Sequence, residues 1–397
     1  MVMPATSKND SFREPCDFDQ TIDRCHTDSI KWCAYPPDVL PLYAADMDFL
    51  APAAITRALH ERVAHGIYGY PTECQELREL FAGRLQHLYN WQVAPEEVVF
   101  VPRVVAGISA ACFTVAAAGD ALLVPTPQYG LLNIFAAAGF VSQEVALIPG
   151  PDGLLTFDLD ALEAAITERT RVFFLCNPHN PAGRVFTEAE LRQIRELCRR
   201  HDLLICADEV YSDLVFEGRR HLPFAAIERD FADRTITLMG PGKSYNIAGL
   251  RCAMAIITNP ELRESYVRIL TGMGCAEINL MGYVGTLAAY RDGNSWLDQA
   301  LSYLAHNREL VHRFVSEHLP GIRMDMPEGT YVAWLDCRQA GIAGNPAEFF
   351  LREARVALND GLAFGKGGEG FVRLVFGSPQ RMIQEALERM SEAMRRL

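Results

Sequence analysis

The sequence predicts an α/β protein with a large unit, a mostly parallel sheet of the seven-stranded type sandwiched by helices, and a smaller α+β unit. Three observations predict it. From about Ala51 to Tyr290, short apolar runs alternate with helical patterns. Those runs are apolar on both faces, as strands buried between two helix layers are. After Tyr290 the texture changes to one long amphipathic stretch followed by strands of alternating polarity. At 397 residues the chain is long for one core, so two units are expected. We assign 51–290 to the large unit and 1–50 with 291–397 to the small one.

In chain order, the first dozen residues read as a loose tail. The strand candidates are VVF (98–100), ALLVP (121–125), RVFFLC (171–176), DLLICADE (202–209), TITLMG (235–240) and AMAIIT (253–258). Helices are expected between them, and βα alternation of this kind argues a parallel sheet covered on both sides. TEAELRQIRELCRR (187–200) opens with a capping box, Thr187 and Glu190, and ends in basic residues that suit a helix C-terminus. SWLDQALSYLAHNRELVHRFVSEHL (295–319) predicts a long helix, GTYVAWLDCR and GFVRLVFGS predict strands, and PQRMIQEALERMSEAMRRL closes as a helix.

Composition narrows the function. Hydrophobic residues make up 49% and charged residues 22%, ordinary for a globular enzyme. The net charge of −13 and the lack of a basic stripe argue against nucleic acid as a partner. No apolar run is long enough for a transmembrane helix, and the polar N-terminus lacks the apolar stretch of a secretory signal. The eleven cysteines form no CxxC pair, and Cys176, Cys206 and Cys252 sit in or beside apolar runs. They read as small buried hydrophobes in a reducing, cytoplasmic setting, with no metal site expected.

In open α/β sheets, ligands bind beyond the carboxyl ends of the strands. RVFFLC is followed by NPHNPAG (177–183), a turn that presents the Asn180 amide. LLICADEVY ends in Asp208 and Tyr211, and TITLMG runs into Lys243 through a Gly-Pro-Gly turn. Each alone reads as an ordinary loop or a capped strand end. Together they place a lysine, a carboxylate and two neutral hydrogen-bonding groups on one rim, a set that suits pyridoxal phosphate. The lysine bonds the aldehyde, the carboxylate holds the ring nitrogen protonated, and Asn180 and Tyr211 bond the phenolic oxygen. VPRVVAGISAACFTVAAAG (101–119) passes from a strand into a small-residue helix, whose first N–H groups at Val104 and Val105 form an anion site for the phosphate. The helix dipole supplies only about 0.3–1 kcal/mol at an exposed end. A cation is therefore wanted as well, and Arg251 is available eight residues past the lysine.

At this point the chain resembles the fold-type I pyridoxal-phosphate enzymes of the class I/II aminotransferase superfamily. NPHNPAG, ADEVY, GKSYNIAGLR and FVRLVFG occur in the family's order and at its usual separations. The resemblance covers nearly the whole chain. It implies the roles above for Lys243, Asp208, Asn180, Tyr211 and Arg251, and it implies Arg373 as the clamp on the substrate's α-carboxylate, where a guanidinium binds bidentately. Within the superfamily the chain is most similar to the cystathionine β-lyase-like (MalY/PatB) branch of C–S lyases. This closer likeness is carried by LPLYAADMDFLAPAAI (40–55), HGIYGYPTE (65–73), RRHLPFAAI (219–227) and GTYVAWLD (329–336). It implies Ala45 as a substrate contact and Tyr129 stacked on the cofactor ring. It also implies Tyr70 as a phosphate ligand reaching in from a second subunit, with Tyr68 the alternative by spacing. A shared site of that kind requires a homodimer.

Three features depart from the branch. Gly240 and Gly242 stand where relatives often carry serines, Tyr211 stands where the branch usually has histidine, and Arg251 stands where many of its C–S lyases lack arginine. The last two lean toward aminotransferases. The expected reaction is β-elimination from an amino acid with a sulfur leaving group. Alternatives are transamination, and a decarboxylating or oxidative reaction of specialised metabolism. A cofactor-retaining regulatory protein is the reading from another class. The substrate's side chain is not legible in the sequence.

Overall fold

The computed structural model describes residues 16–397. Residues 1–15, which include the expected tail and the first part of the small unit, lie outside the described residues. Strands β1 (Val98–Val101), β2 (Ala121–Thr126), β3 (Val141–Ala146), β4 (Thr170–Cys176), β5 (Leu204–Asp208), β6 (Thr235–Met239) and β7 (Ala253–Ile256) form a seven-stranded sheet in the order β1-β7-β6-β5-β4-β2-β3. Strands β2 to β6 run parallel, and β7 is antiparallel to both β6 and β1. The sheet is therefore mostly parallel, as its apolar runs predict. β3 is an addition to that expectation. It lies at the edge and mixes Val141, half-exposed, with partly buried polar residues, so it lacks the apolar signature of a central strand.

The apolar runs sort cleanly onto two faces. On one face Val172, Phe174, Leu204, Cys206 and Ile236 pack against α3 (Val104–Val115) and α5 (Pro260–Gly272). On the other, Phe173, Leu175, Ile205 and Ala207 pack against α4 (Glu188–Arg200). Successive residues of β4 thus bury in opposite cores, which is why the sequence shows no polar alternation there. The capping box of α4 forms as read: the Thr187 hydroxyl accepts from the Glu190 N–H at 3.3 Å, and the Glu190 carboxylate accepts from the Thr187 N–H at 2.7 Å. Such a cap is worth about 1 kcal/mol.

Beyond α7 (Asn294–His318), strands β8 (Arg323–Met324), β9 (Val332–Asp336), β10 (Asn359–Asp360) and β11 (Phe371–Val375) form an antiparallel sheet in the order β8-β9-β11-β10. α8 (Gln380–Met394) packs against α7, and buries Ile383, Leu387 and Met390. The described residues of the segment before residue 50 contact this part of the molecule. Phe18 and Phe49 meet edge-on at 5.0 Å, and Phe18 also contacts Trp296. Leu40–Pro41 pairs with Val356–Ala357.

The two sheets are tied together near the carboxyl ends of the large one. Glu328, buried, accepts from Arg184 Nη1 at 2.7 Å and from the Val185 N–H at 2.8 Å, and it pairs with Arg219. The N–H groups of Glu328 and Gly329 both donate to the Gly183 carbonyl, and Thr330 N–H donates to Leu214. Among the described residues the cysteines form no disulfide. No described helix is long and apolar enough to cross a membrane.

Candidate active site

β4, β5 and β6 are neighbours in the sheet, so their carboxyl ends open on one crevice. A cavity of about 1030 Å³ lies there. Its wall includes Ala45, Val104, Val105, Tyr129, Asn180, Asp208, Tyr211, Lys243 and Arg251. Volumes near 1,000 Å³ are at the large end for small-molecule sites, leaving room for a cofactor and an amino acid together. Of the residues singled out in the sequence, these nine are brought together at once. Arg373 joins them through contacts with Asn180 and Tyr129.

Lys243 sits on the one-turn helix Pro241–Ser244 that follows β6. Its amine donates to the Ala45 carbonyl at 2.7 Å. Burial, reinforced by the positive charge of Arg373, lowers its pKa to about 8, with Asp46 and Asp208 acting the other way. Asp208 ends β5, surrounded by protein except where a sliver of surface meets the cavity. Burial raises its pKa to about 6, opposed by the Val210 N–H at 3.2 Å and by the charge of Lys243. A lysine pushed down and a carboxylate pushed up, across one cavity, is the kind of perturbed pair that marks functional sites.

Arg373, on β11, is fully buried. Its guanidinium donates to Asn180 Oδ1 at 2.9 Å, to the Tyr43 carbonyl at 2.8 Å and to Asn359 Oδ1 at 2.6 Å. Tyr129 lies against it, with the guanidinium carbon 4.5 Å from the ring centre. Every one of these partners is neutral, and among the described residues no carboxylate reaches Arg373. A buried cation without a counter-ion is costly. Its Nε also lacks a hydrogen-bond partner. Both facts fit an anionic ligand arriving from the cavity.

The remaining polar groups fit pyridoxal phosphate. Because Asn180 turns its oxygen to Arg373, its amide N–H₂ is left as a donor. The Tyr211 hydroxyl is buried and makes no hydrogen bond of ordinary geometry, with the Tyr331 ring edge-on at 5.6 Å. Two donors beside a carboxylate and a lysine match the phenolic oxygen, ring nitrogen and aldehyde of that cofactor. α3 begins at Val104 with no side chain capping it. The Arg251 guanidinium, exposed on the cavity wall, has no ion pair among the described residues. Together they can hold a phosphate.

The structure adds residues that the sequence reading missed. Arg103, immediately before α3, lines the cavity as a further cation with no ion pair among the described residues. Tyr331 donates to the Ala45 carbonyl at 2.8 Å. Asp48 gathers Arg24, Lys31, Trp32 and Ser378 at 2.6–2.8 Å, and Asn246 binds the backbone of Met47 and Phe49. These bonds lay the 44–49 segment across the site. The glycines of the lysine loop also have a local reason. A Cβ on Gly240 would come within 3.0 Å of the Ala253 Cβ, and one on Gly242 within 3.3 Å of the Ala248 Cα. Their clearance serves the neighbouring strand and turn. Tyr70 and Tyr68 are not in the site: the first is 97% exposed, and the second is 57% exposed, with its hydroxyl on the Val63 carbonyl. Among the described residues no cluster of metal-binding side chains occurs.

Comparisons with known proteins give the family. A family described as aminotransferase class I and II matches residues 37–390. Cystathionine β-lyase PatB of Bacillus subtilis is 35% identical, covering 95% of this chain and 99% of the relative. The crystal structure of OvoB is 40% identical with a TM-score of 0.90, covering 95% and 99% of the two chains. Cystalysin from Treponema denticola, solved with pyridoxal 5′-phosphate, is 29% identical with a TM-score of 0.92, covering 96% and 99%.

Proposed function

The chain belongs to the aminotransferase class I and II family, and from that premise we propose that it is a pyridoxal-phosphate C–S β-lyase acting on a cysteine-conjugate or cystathionine-like amino acid. The observation that supports this reading is the buried Arg373, without a carboxylate partner among the described residues, held behind Asn180 and Tyr129 of the cavity that Lys243 and Asp208 line, in a chain whose relatives include a cystathionine β-lyase.

Bound here, pyridoxal phosphate supplies an aldehyde that bonds amines and a ring that withdraws electrons from the carbon next to the amine. The chain's own groups do the rest. Val104 and Val105 N–H groups with Arg251 would hold the cofactor's phosphate, Asp208 would accept from its ring nitrogen, Asn180 and Tyr211 would donate to its phenolic oxygen, and Tyr129 would pack on its ring. Arg373 binds the substrate's α-carboxylate through its free edge, and the Ala45 N–H assists. Lys243, whose amine is brought down to a pKa of about 8 by burial, takes the Cα proton. Positioned proton transfer of this sort contributes typically ~10²–10⁴-fold. A thiolate then leaves the β-carbon readily, because a thiol's pKa is only about 8.5, and pyruvate and ammonia follow.

Transamination is the second reading, favoured by Arg251 and Tyr211, which lean toward aminotransferases. Incubation with cystathionine or an S-alkyl cysteine separates the two. Pyruvate formed catalytically without a keto-acid acceptor supports the lyase, whereas a single stoichiometric conversion of the cofactor to its amine form supports the transaminase. Lys243→Ala is expected to abolish both turnover and the visible absorbance of protein-bound cofactor; survival of either defeats the assignment.

The same reading includes a homodimer in which Tyr70, or Tyr68, reaches the partner's phosphate. It is supported by the exposure of both rings. It also includes a cytoplasmic setting, and the division into 51–290 and 1–50 with 291–397.

A further inference from the structure

The Ala45 carbonyl accepts two hydrogen bonds, from the Lys243 amine at 2.7 Å and from the Tyr331 hydroxyl at 2.8 Å. A carbonyl oxygen has two lone pairs, and here both are used. We propose that Tyr331 is a positioning residue: by fixing the Ala45 carbonyl it gives the free amine of Lys243 a single docking point, and so a single orientation as a base. The proposal rests on the reading of Lys243 as the group that takes the Cα proton.

Three observations carry it. Tyr331 itself is held in place. It is buried to 1% exposure, its ring meets Tyr211 edge-on, and it follows Thr330. Thr330 is a buried β-branched residue in the left-handed region, φ 70°. Such a conformation is strained and persists only where the surroundings impose it. Here the Thr330 N–H donates to the Leu214 carbonyl at 2.7 Å, and the Val332 N–H donates to the Thr330 hydroxyl at 3.2 Å. The Ala45 peptide is also held. Next to it, Asp46 pairs with Arg24 at 2.5 Å, and the Asp48 cluster and Asn246 anchor the rest of the segment. Lastly, the amine is the reacting atom. A neutral amine has two N–H bonds and one lone pair. Donating one hydrogen to a fixed oxygen removes most of its rotational freedom and leaves the lone pair for the substrate. When the Cα–H bond breaks, its electron pair stays with the substrate and a new N–H bond forms at Nζ. The resulting ammonium keeps the same carbonyl as a charge-assisted acceptor.

The charged groups facing Lys243 are Asp208 from β5, Asp46 from the 44–49 segment and Arg373 from β11. Arg103 and Arg251 stand on the same wall. Tyr331 is neutral among them, so its effect on the amine runs through the shared oxygen. Removing the tyrosine's proton from that oxygen makes it a stronger acceptor for the ammonium, and strengthening the tyrosine as a donor does the opposite.

The test is made first on the full chain without cofactor. The pH dependence of Lys243 acylation by acetic anhydride is read by mass spectrometry of the peptide that contains it. Tyr331→Phe is expected to move the midpoint upward. 3-Fluorotyrosine at position 331, which keeps the fold and donates more strongly, is expected to move it downward. In the loaded enzyme, Tyr331→Phe is expected to lower kcat roughly tenfold with KM little changed, and to raise the isotope effect from Cα-deuterated substrate. A midpoint that neither substitution moves overturns the proposal, whatever happens to turnover. Because acylation needs no substrate, this result stays independent of whether the reaction is elimination or transamination.

Discussion

Above pH 6 Asp208 stands ionised at the foot of the cavity, with the Val210 N–H as its hydrogen-bond donor. Its folded pKa lies above its unfolded value, so the native state binds more protons between those two values. The contribution of Asp208 to the stability of the cofactor-free chain therefore falls as pH rises from about 4 to about 6 and stays lower above that. Asp208→Asn is expected to stabilise the cofactor-free protein by about 1–2 kcal/mol at pH 8, with the gain vanishing near pH 3.5. Urea titrations at the two pH values check it. A mutant no more stable at pH 8 than the parent contradicts the burial argument. The same cost made the residue legible in the sequence, because a carboxylate ending an apolar strand demands an explanation. Lys243 was legible because its Gly-Pro-Gly turn follows a neighbouring strand end, and Arg373 only through the family resemblance of FVRLVFG. Tyr331 was not, since an aromatic in GTYVAWLD reads first as core packing. The Ala45 carbonyl is a backbone group that no side-chain pattern reports.

At the scale of elements, the seat of Arg373 depends on how closely β10 approaches the turn before β11. A Cβ on Gly361, just past β10, would come within 2.0 Å of the Gly368 carbonyl and 2.6 Å of the Phe371 carbonyl. Neither is a flexible side chain that can move aside. Gly361→Ala is expected to cost about 1–3 kcal/mol and to raise KM, because Asn359 on β10 holds the guanidinium at 2.6 Å. Thermal unfolding together with steady-state kinetics reads both effects; a variant with unchanged KM would separate β10 from the carboxylate site. The central strands and long helices were plain in the sequence because two-sided burial and helical periodicity are strong patterns. β3 was not plain. Its half-exposed edge position keeps polar residues along it. The antiparallel direction of β7 was equally hidden, since an apolar run records burial and carries no sign of direction.

For the whole molecule, the tyrosines of the 65–73 segment are exposed and do not line their own cavity, and resemblance to the family is what gave them a role. If Tyr70 serves the neighbouring subunit, a Tyr70→Ala chain and a Lys243→Ala chain complement one another. Each impaired homodimer, unfolded and refolded with the other, should recover about a quarter of the parent activity, because half the dimers are mixed and one site in each is intact. No recovery assigns Tyr70 to its own subunit or to no site. The tie at Glu328 bears on a different property. With its carboxylate held by Arg184 and Arg219, and with neighbouring peptides bonded to Gly183 and Leu214, the loop leading to Tyr331 is riveted to the loops bearing Asn180 and Tyr211. The enzyme should therefore admit its amino acid like a fixed socket rather than a closing jaw, and its small-angle X-ray scattering curve should be superimposable with and without a tight-binding inhibitor.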